Sequence, residues 1–162
     1  MYLRKLETKD APLMLEWMHD ESVVAKLAAN FAAKTIDDCR NFIAASQKDE
    51  ENLHLAVADG DDTYMGTVSL KHIDRAAGTA EFAITVRTAA MGKGFSHFGM
   101  DSILKMGISE LGLSAIYWCV SPKNARAVRF YDKHGYTRIT EVPVEILSAY
   151  PADMELIWYI YQ

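Results

Sequence analysis

The stretch Val-Ser-Pro-Lys-Asn-Ala-Arg-Ala-Val-Arg-Phe-Tyr-Asp-Lys-His-Gly-Tyr, residues 120–136, is the one around which the rest of the chain falls into order. Its first residue closes an apolar run, Ala-Ile-Tyr-Trp-Cys-Val at 115–120, that reads as a buried strand. Asn124 is a good N-cap, because its side-chain oxygen accepts an otherwise unpaired N–H of a first helical turn, and Gly135 supplies the stop. The residues between them read as a helix, and 136–140 as the strand that follows. Asn124 and Tyr131 stand seven residues apart, which at about 3.6 residues per turn puts them on one helix face. Either the two line a common groove, or Asn124 is simply a cap and Tyr131 a core-edge tyrosine.

Upstream, Thr-Val-Arg-Thr-Ala-Ala-Met-Gly-Lys-Gly-Phe-Ser at 85–96 runs from the end of a strand into a helix, with Gly92 and Gly94 at the junction. Free N–H groups at a helix N-terminus, together with the helix dipole, favour an anion, and glycine lets the backbone approach it. An ordinary tight turn is the competing reading. Two phosphate motifs fail on spacing: a P-loop needs Ser or Thr after its lysine, where Lys93 precedes Gly94, and a dinucleotide fingerprint needs glycine at the position of His97. The helix that follows carries Met100, Ile103, Leu104, Gly107, Ile108 and Leu111 on one face, and Gly112 ends it.

Toward the N-terminus, residues 2–6 read as a short strand and Thr8-Lys9-Asp10 opens a helix with Leu13, Met14 and Trp17 on its apolar face. Thr35 and Asp38 have the spacing of a capping box ahead of a second helix that contains Phe42 and Ile43. Leu53, Leu55 and Val57 then alternate with other residues, Gly60-Asp61-Asp62 turns the chain, and 64–70 completes a hairpin. A third strand follows the turn at 75–78, with Phe82, Ile84 and Val86 on one face and Glu81, Ala83 and Thr85 on the other. Residues 156–161 form the last strand. Apolar on both faces, it pairs either inside the sheet or with a second subunit, so a homodimer stays open. The order describes an α/β (α+β) fold, a mixed, mostly antiparallel sheet covered by helices.

Half of the 162 residues are apolar and 24% are charged, the composition of a globular domain. No repeat or linker divides the chain, so 1–162 is read as one domain. With 22 acidic against 17 basic side chains, the net charge of −5 argues against nucleic acid or an anionic membrane as partner. No apolar run approaches the roughly 18–20 residues that span a bilayer, and the start Met-Tyr-Leu-Arg-Lys-Leu-Glu carries no signal-peptide core, so a cytoplasmic protein is expected. Cys39 and Cys119 stand alone, outside any Cys-x-x-Cys pair, and are read as reduced and structural with no metal site.

Taken together, the two segments resemble the GNAT superfamily of acyl-CoA-dependent N-acyltransferases. Its pyrophosphate loop, Gln/Arg-x-x-Gly-x-Gly/Ala, falls on Met91, Gly92, Lys93, Gly94, Phe95 and Ser96, with Met91 and Ser96 departing from the pattern. Its later signature, Asn-x-x-Ala-x-x-x-Tyr-x-x-x-Gly-Phe, falls on Asn124, Ala127, Tyr131, Gly135 and Tyr136. Residues 15–23, with Leu15, Trp17, Asp20 and Val23, resemble the branch that acetylates ribosomal-protein N-termini and amino sugars of nucleotide-sugars.

The resemblance implies an enzyme that moves an acetyl group from acetyl-CoA, releasing CoA, to a primary amine of a small molecule such as an amino sugar, or to a peptide N-terminus. Thr85, Val86 and Arg87 would meet the pantetheine and thioester where the strand bulges, an unpaired N–H there stabilising the oxyanion. The loop 91–96, Asn124, Arg126 and Tyr131 would complete the cofactor site, with Lys93, Lys123 and Arg129 adding charge. Tyr131 would protonate the leaving thiolate, a phenol near pKa 10 facing a thiol near 8.5. Glu81, alternatively a solvent-facing strand residue, is the first candidate for the base that takes the acceptor's proton, ahead of His72 and His54. Trp17, Phe31 and Glu81 would contact the acceptor, whose pocket would be lined by residues 17–34, 72–78 and 142–154. The alternative is a non-catalytic acyl-CoA-binding module that keeps the fold and has lost the acceptor chemistry.

Overall fold

Alternation of apolar and polar residues along the middle of the chain produces a meander of three antiparallel strands, and the rest of the molecule is arranged on it. The computed structural model describes residues 1–27 and 29–162. Seven strands, β1 (Tyr2–Lys5), β2 (Leu53–Ala58), β3 (Tyr64–Asp74), β4 (Thr79–Val86), β5 (Ala115–Val120), β6 (Thr137–Ile139) and β7 (Ile157–Tyr161), form one sheet in the order β1-β2-β3-β4-β5-β7-β6. Every pair is antiparallel except β4 with β5. The last strand therefore pairs on both sides within the sheet, and β6 is the edge, which accounts for its apolar faces without a second subunit.

Among the described residues, six α-helices accompany the sheet: α1 (Ala11–Met18), α2 (Glu21–Val24), α3 (Ile36–Ser46), α4 (Phe95–Ser109), α5 (Ala125–Lys133) and α6 (Val144–Leu147). The first helical stretch opens as a 3₁₀ turn at Thr8–Asp10, and α3 begins on the expected capping box, with Asp38 N–H donating to Thr35 Oγ1 and Thr35 N–H to the Asp38 carboxylate. The sequence reading missed α2 and α6, whose four residues are too few to show a period of 3.6.

One sheet face, carrying Val68, Leu70, Phe82, Ile116, Trp118 and Tyr159, meets Met100, Ile103 and Leu104 of α4 and Tyr131 of α5. The other meets α1 and α3 through Met14, Trp17, Cys39 and Ile43 near β2 and β3. Farther along, Tyr117 and Trp158 pack with Ile146 and Tyr150, on and just after α6. Gly66 of β3 lies tight against β4, where an added Cβ would come within 2.6 Å of the Thr85 carbonyl oxygen. Among the described residues no helix is long and apolar enough to cross a membrane.

Candidate functional site

The central feature is the end of a ladder. Strands β4 and β5 pair over Thr79↔Ala115, Ala80↔Ile116 and Glu81↔Tyr117, and pairing stops there although both strands continue. From Phe82 to Val86 the β5 side of β4 has no strand partner, while its β3 side stays paired through Val86. Sequence reasoning expected a bulge at Thr85, Val86 and Arg87. The register through them is regular, and the unpaired edge arises because β5 diverges; the irregularities of the meander lie at Val57/Ala58 and Lys71/Asp74 instead. Phe82 and Trp118 meet edge to face, ring centres 5.6 Å apart, on the α4 side of this opening.

Beyond β4 the chain makes a 3₁₀ turn over Thr88–Ala90 and then the glycine loop. Gly92 and Gly94 take φ of +74° and +88°, the left-handed region that glycine enters without cost, and the space where their Cβ atoms would stand is open. Gly94 is the N-cap of α4, and no side chain caps that end. The loop thus leads into the start of a fifteen-residue helix whose first N–H groups no side chain caps, an end that favours an anion. Phe95 is buried in the core as the anchor of the turn, and Ser96 is partly exposed beside it. Lys93 is exposed, as are Lys123 and Arg129.

Two of the cations expected at the cofactor site have definite partners. Arg87 faces away from the loop: its guanidinium forms a two-pronged pair with Glu16 of α1, at 3.0 and 3.1 Å, and donates to the Tyr64 carbonyl. It ties α1 to the end of β4. Arg126 reaches from α5 to the loop and donates from Nη1 to Met91 Sδ at 2.9 Å, which brings a guanidinium to the place where the GNAT pattern has Gln or Arg.

Asn124 caps α5, its Oδ1 accepting from Ala127 N–H at 3.3 Å, so the plain reading holds for that oxygen. Tyr131, 8% exposed, packs against the stacked rings of Trp118 and Tyr159 at centroid distances of 5.7 and 5.0 Å, and its hydroxyl donates to no described residue. Burial, above all, pushes its phenol well above the usual tyrosine value. That widens the gap to a free thiol; a thiolate in the same apolar surroundings is destabilised too, so the two rise together. Beside it, Trp118 Nε1 is buried without a hydrogen-bond partner among the described residues, enclosed by the rings of Tyr131, Tyr136 and Tyr159.

On the opposite face Glu81, the last residue of the β4–β5 ladder, is only 5% exposed, which removes the reading of a solvent-facing strand residue. Tyr150, from the segment after α6, donates its phenol hydrogen to Glu81 Oε1 at 2.7 Å. Burial first, and then the carboxylate that it serves, pushes the Tyr150 phenol far up. His72 Nε2 lies 3.8 Å from Glu81 Oε2. A cavity of about 210 Å³ opens here, lined by His72, Asp74, Thr79, Glu81 and Glu145 among others. Tyr150 lies within the 142–154 segment expected to line the acceptor pocket, but nothing local singles it out, since a tyrosine in an irregular segment carries no pattern.

Trp17 is placed in the core of the first helical layer, 5% exposed, with Nε1 donating to Tyr64 Oη at 3.0 Å and its ring edge-on to Phe31 at 5.1 Å. Trp17 and Phe31 share the sheet face of Glu81 but do not line its cavity. His54 is held by Ser69, at 2.7 Å from its Nδ1, and packs on Phe42, away from the cavity. Among the described residues no three His, Cys, Asp or Glu side chains converge as a metal site would require.

The family model described as acetyltransferase (GNAT) domain matches residues 1–137. The spermidine N(1)-acetyltransferase of Vibrio cholerae serotype O1 is 30% identical over 88 residues, 54% of this chain and 51% of the relative, so the chain spans about half the length of the curated relative it matches. Among solved structures, the spermidine N-acetyltransferase from Vibrio cholerae in complex with CoA and spermine superposes with a TM-score of 0.81 at 19% identity, covering 99% of this chain and 94% of the other. A dodecameric structure of that enzyme in an intermediate state gives 0.74 at 21% identity, covering 99% and 92%. These relatives carry names outside the ribosomal-protein and nucleotide-sugar branch that residues 15–23 resemble. With the family model spanning most of the chain and the diverging strands, glycine loop and α5 tyrosine in one place, the chain belongs to the GNAT family of acetyl-CoA-dependent N-acetyltransferases.

Proposed function

We propose that this chain transfers an acetyl group from acetyl-CoA to a primary amine of a small, cationic molecule by direct attack on the thioester. The observation that carries the reading is the divergence of β4 and β5 at Glu81, with the glycine loop and Tyr131 on one side and the acid-lined cavity on the other. When bound, acetyl-CoA supplies an activated acetyl group whose carbonyl carbon is open to an amine.

The protein's own residues fit that donor. Gly92, Gly94 and the uncapped start of α4 offer backbone N–H groups to phosphate, Arg126 adds the positive charge that Met91 lacks, and the free edge of β4 from Phe82 to Val86 offers amide groups to the pantetheine arm. Tyr131, kept protonated by its burial, holds a hydrogen for the departing sulfur. Glu81 takes a proton from the incoming ammonium, either directly or through water, and Tyr150 holds that carboxylate in place.

For the acceptor, Asp74, Glu81 and Glu145 around a cavity of about 210 Å³ favour a compact amine with further positive charge over an amino sugar or a peptide N-terminus. Relatives named for spermidine are consistent with that class. Two separated, unpaired cysteines are consistent with a cytoplasmic setting.

Thermal unfolding with acetyl-CoA, free CoA, ATP and NAD in parallel tests the donor, since a ligand at 100 times its dissociation constant stabilises by about 2.7 kcal/mol. A shift with acetyl-CoA and CoA alone is expected, followed by thiol release with diamines and polyamines faster than with amino sugars or peptides. No shift with either CoA form refutes the donor; a preference for neutral amines refutes the acceptor class. A shift without thiol release from any amine would favour the acyl-CoA-binding module.

A further inference from the structure

Extending the reading of Glu81 as base, we propose that His72 is the proton exit of the acceptor site. A base that is 5% exposed and takes one proton per turnover needs a route to bulk water, or it stays protonated while the next ammonium arrives. Tyr150 occupies Glu81 Oε1, so the oxygen left for the proton is Oε2, and the nearest described ionisable nitrogen to it is His72 Nε2 at 3.8 Å. The His72 side chain is 69% exposed, against 7% for Glu81, so one imidazole joins the enclosed carboxylate to solvent. A small rotation of that exposed ring, or one bridging water, closes the remaining distance.

The backbone supplies an independent observation. His72 has φ of +51°, one of two non-glycine residues with positive φ among those described, and lies where the β3–β4 register shifts between Lys71 and Asp74. The distortion is pinned from outside the strand: His72 N–H donates to Asn52 Oδ1 at 3.0 Å, and Ile73 N–H to the Glu51 carbonyl at 2.8 Å. A side chain kept in a costly conformation by neighbours that fix its direction is characteristic of a site rather than of an ordinary strand.

Charged and titratable groups around the imidazole are Glu81 from β4, Asp74 and Lys71 on its own strand, and Glu145 from α6, with Tyr150 and Cys119 behind Glu81. In the relay, the acceptor N–H bond breaks and its hydrogen bonds to Glu81 Oε2; that hydrogen passes to His72 Nε2, and the exposed ring gives a hydrogen up to water and returns through solvent exchange to the tautomer with a free Nε2. No electron changes hands, and Glu81 returns to its ionised form. His72 acts through Glu81 and does not touch the reacting atoms.

Two substitutions test it. His72→Gly suits the positive φ and leaves room for a small molecule; His72→Asn also tolerates that conformation but cannot accept and release a proton in turn. Both are expected to unfold at or above the wild-type temperature, to keep the acetyl-CoA KM, and to lose about tenfold in kcat. Added imidazole is expected to restore His72→Gly but not Glu81→Gln. Full kcat in both His72 variants, or a loss that imidazole leaves untouched, overturns the exit while leaving Glu81 in its role. Full activity in Glu81→Gln overturns the base and the exit together.

Discussion

The bond between Tyr150 and Glu81 allows a quantitative test, because it joins residues 69 positions apart in the chain and one partner is nearly inaccessible. Tyr150→Phe removes the donor at 2.7 Å and keeps the ring that packs edge-on to Trp158 at 5.1 Å, so little but the hydrogen bond is lost. A hydrogen bond to a charged acceptor contributes about 1.5–3 kcal/mol, and here its loss leaves a buried carboxylate short of a partner. In a domain of this size that corresponds to a melting temperature lower by roughly 3–12 °C. Urea unfolding of wild type, Tyr150→Phe, Glu81→Ala and the double variant at neutral pH isolates the pair, since the volume lost with Glu81 is common to both backgrounds. A coupling of about 1.5–3 kcal/mol is expected. A value below about 0.5 kcal/mol, the range within which independent sites add, would refute the argument that Tyr150 holds the carboxylate.

Tyr131→Phe is expected to bind acetyl-CoA nearly as the wild type does while turnover falls at least tenfold, the low end for loss of a general acid; equal rates would remove that role. Arg126→Ala is expected to raise the acetyl-CoA KM with kcat unchanged, because it removes the guanidinium that Met91 holds at the glycine loop; steady-state kinetics over both substrates separate the two constants. Gly94→Ala forces an L side chain to φ of +88° in open space, so its cost is conformational, about 1–2 kcal/mol, readable in the melting temperature together with a smaller CoA-induced shift. Asp62, held by Tyr2, Arg4 and Lys9, has its carboxyl pushed well below the ordinary range, chiefly by Lys9. A depressed folded-state pKa contributes stability above the ordinary carboxylate pKa and loses it as pH falls. The melting-temperature difference between wild type and Asp62→Asn is therefore expected at neutral pH and should fade as the solution is acidified below about pH 4.

The glycine loop and α5 were legible as patterns because their information is local. Positive φ at Gly92 and Gly94, a cap at Asn124 and the seven-residue step to Tyr131 depend on neighbours within a turn or two. Other parts of the site depend on distant contacts that no local pattern shows. Arg87, adjacent to the loop in sequence, pairs with Glu16 from 71 residues away, and the Trp17 N–H goes to Tyr64. The acids that line the cavity, Asp74, Glu81 and Glu145, show no cluster in the linear chain and meet only when α6 folds over β4.

By itself the sequence determined, apart from the four-residue α2 and α6, which segments are strands and helices, where most of them start and stop, and which alternate residues form the core, because period and capping act over a few residues. Only the tertiary structure decided that β7 inserts between β5 and β6, that β5 departs from β4 after Glu81, and that Tyr150 and His72 reach the same carboxylate. Those outcomes depend on which strands pair and in what register, a choice made by the packing of whole faces against one another, and no stretch of neighbouring residues encodes it alone.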